Sequence, residues 1–160
     1  MRKKLLVLAL PLLLLVAGCA HNISQQSLAM ADRTIAFSKL QENPDAYRGK
    51  FVVLGGLVVG ATRSQGGTEY EVLQYNLDSR ETPDETSASG GRFLADVPDS
   101  LKIAPCKKGT LVSMAGEVTG KLVEPLKGVD YTYPVIAVKE LHIVRVPDED
   151  FFRTWNPYGP

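Results

Sequence analysis

The chain of 160 residues carries 18 Lys and Arg against 18 Asp and Glu. Three of the cations, Arg2, Lys3 and Lys4, stand in the leading segment, so the remainder has a net charge of about −3 with His neutral. With no basic cluster larger than Lys107-Lys108, that surface is unsuited to nucleic acid, whose affinity comes largely from neutralised phosphates.

After the basic head, residues 5–16 contain no polar side chain, and Ala17, Gly18 and Cys19 close the segment. A charged start, an apolar middle and a small-residue exit have the layout of a secretory signal. A spanning helix fits poorly, because a dozen residues at about 1.5 Å each reach only about 18 Å, against a hydrocarbon core of about 30 Å. Pro11 weakens such a helix further. The run Val16-Ala17-Gly18-Cys19 turns the signal into a lipoprotein signal. It predicts cleavage between Gly18 and Cys19, with a diacylglyceryl group on the thiol and an acyl chain on the new amino terminus. Two or more chains make attachment stable, each buried CH₂ contributing about 0.8 kcal/mol. Ala20, where aspartate would signal inner-membrane retention, points to the periplasmic side of the outer membrane.

Residues 19–34 read as a lipidated tether, since residues 21–31 are polar and short of large apolar groups. Ser38-Lys39-Leu40-Gln41 has capping-box spacing. It predicts a short helix, with Phe37, Leu40 and Tyr47 as apolar contacts and Asn43-Pro44 as its end or a second brief turn. From Gly49 the signals are those of strands. Residues 51–59 form a β-branched run interrupted by Gly55-Gly56, a bulge or coil that lets one strand serve both sides of a small barrel. Residues 69–77 follow the Gly66-Gly67 turn as a second strand, 78–91 read as a long mobile loop, and 92–97 make a third strand.

Residues 110–123 alternate, with Val112, Met114, Gly116 and Val118 on one face and Ser113, Glu117 and Thr119 on the other. Residues 131–146 complete the set, as one strand or as two divided at Lys139-Glu140. Pro134 there needs an edge or a bulge. The expected fold is mainly β: a small five- to six-stranded OB-like barrel over residues 35–146, with one short helix ahead of it. A two-layer sandwich is the alternative. Residues 147–160 form an aromatic and proline-containing tail.

The export box, then Phe37 with Asn43-Pro44-Asp45-Ala46-Tyr47-Arg48-Gly49-Lys50 and Leu54-Gly55-Gly56, resembles the Slp family of starvation-inducible outer-membrane lipoproteins. Leu77-Asp78-Ser79 with Pro83, Gly91-Arg92-Phe93-Leu94-Ala95, Gly116-Glu117-Val118-Thr119-Gly120 and residues 133–144 continue the likeness in order, to about Trp155. The resemblance implies an outer-membrane lipoprotein linked to starvation, stationary phase or acid stress, without enzymatic activity. The chain departs from the family in ending at Pro160, where a longer aromatic and proline-rich tail is expected.

No catalytic constellation is visible in the sequence. His21 lies in the expected tether and His142 in a strand, where an ordinary packed or surface histidine outweighs a catalytic one. Cysteine and histidine are too few for zinc, and Asp148-Glu149-Asp150 reads as a solvated turn rather than a calcium loop. Cys106 lies between Pro105 and Lys107-Lys108, a setting that could lower its pKa, although a buried, unused thiol is the plainer reading. Two surfaces invite a partner. One is the tail, with Phe151, Phe152, Trp155 and Tyr158; the other is a strand face with Tyr70, Tyr75 and Arg92. The expected partners are the outer membrane, through the lipid on Cys19, and an envelope protein or a glycan. No cofactor is expected beyond that covalent lipid. The leading expectation is a non-enzymatic envelope scaffold or modulator. The alternative is a periplasm-facing binding module for a glycan or other small envelope ligand.

Overall fold

The computed structural model describes residues 21–148. Five strands run in chain order: β1 (Phe51–Ser64), β2 (Gly67–Gln74), β3 (Gly91–Pro98), β4 (Leu111–Leu126) and β5 (Val129–Arg145). They close into a ring in the order β1-β2-β3-β5-β4. All pairings are antiparallel except the short parallel contact of β3 with β5, at Leu94↔Val135 to Asp96↔Ala137. A closed five-stranded ring is the OB-like barrel expected from the strand pattern, and a sandwich, which leaves two sheets with edges, is ruled out. Residues 139–140 do not divide the last segment, and β5 runs on through them.

β1 explains how so few strands enclose a core. Its first half pairs with β4, from Phe51↔Glu117 to Leu57↔Leu111, and its second half pairs with β2, from Gly56↔Gln74 to Ser64↔Gly67. The handover falls on the Gly55-Gly56 pair. A Cβ on Gly56 would stand 1.9 Å from the Leu73 carbonyl oxygen, and one on Gly55 would meet Leu77, Pro83 and the Val112 carbonyl within 2.9 Å. Both positions are places where another part of the chain comes too close for a side chain. Inside, Val52, Leu54, Val58, Val72, Phe93, Val112, Met114, Val118, Ile136 and Val138 fill the barrel. Each such side chain contributes about 1.5–3 kcal/mol by leaving water.

Two helices precede the barrel, where one was expected. The second, α2 (Phe37–Glu42), closes one end, with Leu40 fully buried and Phe37 and Tyr47 packed beside it. Its cap is Ala36 and no side chain caps it, so Ser38 lies inside the first turn and the capping box does not form. Gln41 instead donates to the Tyr131 hydroxyl. The brief second turn appears at Pro44–Tyr47.

The first helix, α1 (Gln25–Met30), overturns the tether over the described residues. Ile23 is 1% exposed and packs with Leu28 on Ala115, Phe51 and Val53, the outer face of β1 and β4. Ser24 caps α1 through the Ser27 N–H. Two apolar groups and a local cap suffice to seat a segment that reads as polar. The 75–90 connection is likewise no free loop. Leu77 bridges to Pro83, Asp78 accepts from the Arg80 and Thr82 N–H groups at 2.8 Å, and Glu81 is buried against β4.

Candidate functional site

Among the residues singled out in the sequence, Gly18, Cys19, Phe151, Phe152, Trp155 and Tyr158 lie outside the described residues. The other three do not form one surface. Tyr70 points into the core, 5% exposed, and its hydroxyl accepts from the Cys106 N–H at 3.1 Å. Tyr75, just beyond β2, is half-buried, and burial, then the nearby Glu85 carboxylate, raises its pKa. Arg92 lies on the outside of β3 and pairs with Glu71 at 2.7 Å, with its side chain only 13% exposed.

Arg92 belongs to a network that the sequence did not reveal. The Tyr133 hydroxyl donates to the same Glu71 oxygen at 3.2 Å. The Tyr131 hydroxyl accepts from the Arg92 backbone N–H at 2.6 Å and packs its ring edge-on to Tyr133 at 4.6 Å. Burial, followed by the Glu71 carboxylate, pushes the Tyr133 phenol up to about 12. Strand alternation in residues 131–135 was the only signal for these tyrosines, and it could not say that Arg92 would come from a different strand.

The outside of β2 and β3 is the face on which OB barrels take ligands. Here Arg92, Glu71, Tyr131 and Tyr133 are spent on each other. A recess of about 110 Å³ remains between Gly60, Thr62, Glu69, Glu71, Glu124 and Tyr133, below the roughly 300 Å³ at which small-molecule sites begin. Its charge is acidic. Burial, then repulsion by Asp96 and Glu124, raises the pKa of Glu69, and burial raises that of Asp96. Such a face repels phosphate.

A second recess, about 290 Å³, lies between α1, the 31–35 segment and Leu77 to Glu81. Leu28, Ile35, Leu40 and Leu54 line it, and its polar rim is already engaged. Asp32 holds the Thr34 hydroxyl and Lys50, and Glu81 holds His21 at 2.9 Å and Arg33 at 3.9 Å. Cys106 is buried, and burial raises its pKa, so the activating setting suggested by its lysine neighbours does not arise. Among the described residues no group of three or more His, Cys, Asp or Glu is placed to hold a metal, and no helix is long and apolar enough to cross a membrane.

The amino-terminal strap, residues 21–36, is pinned to the barrel and to the 75–90 connection at several points. The Asn22 N–H donates to the Arg80 carbonyl at 3.1 Å, and its side chain donates to Thr82 at 3.1 Å. Glu140 of β5 accepts from the Ser24 N–H at 2.8 Å, the Ser24 hydroxyl at 2.7 Å and the Ser27 hydroxyl at 2.5 Å. Burial works against ionisation of Glu140, but these bonds outweigh it and hold its carboxyl below the usual range.

The sequence model of the outer membrane lipoprotein Slp family matches residues 16–159. No curated protein matches the chain. Two crystal structures of the mitochondrial single-stranded DNA binding protein Rim1 from S. cerevisiae are similar in shape. One has 13% identity and a TM-score of 0.42, the other, selenomethionine-labelled, 12% and 0.43. Each likeness covers 62% of this chain and 99% of the other.

Proposed function

The chain belongs to the outer membrane lipoprotein Slp family, and on that premise we propose that it is a non-enzymatic scaffold or modulator of the envelope under starvation or acid stress. In this reading lipid on Cys19 holds it at the periplasmic side of the outer membrane. The observation that carries the reading is the self-satisfied outer face of β2 and β3. Arg92, Glu71, Tyr131 and Tyr133 bond to one another, and the recess beside them is small and acidic. That face, with Arg92, Glu71 and both tyrosines engaged and only a small recess beside them, has little to offer a small ligand, whereas a protein partner needs only a surface.

Photo-crosslinking in intact cells tests this, with a reactive residue placed in turn at Trp155, Tyr158, Tyr75 and Arg92. A discrete protein adduct from the tail positions is the expected result. Adducts confined to Tyr75 or Arg92 and shifted by a glycan or lipid mass would replace the scaffold by the glycan-binding module.

A further inference from the structure

Cys19 precedes His21 by two peptide units, about 7 Å when fully extended. From His21 onward the chain has no slack. His21 is held by Glu81, Asn22 by Arg80 and Thr82, and Ile23 is buried, while Ser24 is fixed to Glu140. A lipid on Cys19 therefore leaves at most about 7 Å of chain between the bilayer and the barrel wall. The patch around the exit point is fixed as well. Glu81 lies over Ser113, whose hydroxyl donates to its carbonyl, and Ser113 stands opposite His142 across the β4–β5 ladder. Arg33 reaches the buried Glu81 carboxylate at 3.9 Å, and the side chains of Arg33, Arg80 and His142 are exposed.

We infer that the barrel rests directly on the lipid surface, with the patch of His21, Arg80 and His142 against the headgroups. This rests on lipidation at Cys19. The hairpin tips at Gln65 and Lys127 then point elsewhere. From Gly55, beneath the patch, β1 runs roughly 33 Å along the strand to Gln65, and from Ser113 β4 runs roughly 46 Å to Lys127, at about 3.3 Å per residue. The outer face of β2 and β3 is thereby held at a set orientation to the membrane.

The test uses the full lipidated protein in vesicles of phosphatidylethanolamine and phosphatidylglycerol that carry a quencher on the headgroup. A fluorophore is attached at Arg80→Cys, His142→Cys, Gln65→Cys or Lys127→Cys, and the unsubstituted protein shows that buried Cys106 stays unlabelled. Most of the emission should be lost at 80 and 142 and little at 65 and 127. Inserting about twenty Gly and Ser residues between Ala20 and His21, a coil of roughly 25 Å root-mean-square span, should remove the difference. Equal quenching at all four positions, in protein that floats with the vesicles, would overturn the docked orientation and leave the anchor standing. Failure of the protein to float, or flotation undiminished by Cys19→Ser, would instead remove the anchor and the inference with it.

Discussion

Tyr133 keeps its proton to about 12 because burial, and then Glu71, disfavour the phenolate. The ordinary tyrosine value is about 10, so between the two the folded chain holds a proton that the unfolded chain has lost. Stability is therefore fully present below pH about 10 and declines as the pH climbs toward 12. Tyr133→Phe should flatten that decline. Thermal melts of both proteins at pH about 9 and about 11.5 would show it, and an equal fall in the two would refute it. Tyr131 and Tyr75, also raised by burial, leave a residual slope. None of this was legible from the residues singled out beforehand. Tyr70 reads from its strand as either core or ligand-facing, and the register that turns it inward depends on Ala95 of β3, its partner in the ladder.

Among the elements, β1 was the most legible, because two adjacent glycines in a β-branched run have few structural uses besides a bend. Gly56→Ala would bring a methyl to 1.9 Å from the Leu73 carbonyl. That is a backbone clash costing more than about 3 kcal/mol. The variant is expected to be insoluble, or to melt more than about 8 °C below the parent. Gly60→Ala is the control, since its nearest neighbour, at 3.2 Å, is the movable Glu71 carboxylate; if both alanines were tolerated alike, the crossover would not depend on that approach. Helix α1 was illegible for the opposite reason. Its seat needs only Ile23 and Leu28 among polar residues, and the face they cover, with Ala115, lies far along the chain. The 75–90 connection misled in the same way, because Asp78 builds its turn from backbone bonds that composition reads as looseness.

For the whole molecule, the strand pattern was enough to indicate a barrel, but not its closure, which depends on three parallel pairs between β3 and β5. Nor did the pattern show that one wall is covered by the strap. A soluble form beginning at Phe37 should uncover Phe51, Val53 and Ala115 and lose the burial of Ile23 and Leu28, each about 1.5–3 kcal/mol. Urea unfolding should then give a free energy at least about 3 kcal/mol lower, and a dye that fluoresces on apolar surfaces should bind. Unchanged stability without dye binding would mean that the strap is an accessory to the barrel rather than part of it.

The bonds from Ser24 to Glu140 span 116 positions, and that separation sets an order of events. A chain made amino end first cannot close the bonds of Ser24 and Ser27 until β5 has followed, because their acceptor, Glu140, is on β5. Only when the last strand arrives does the barrel draw the strap tight, so the topology itself places the strap among the last parts to seat.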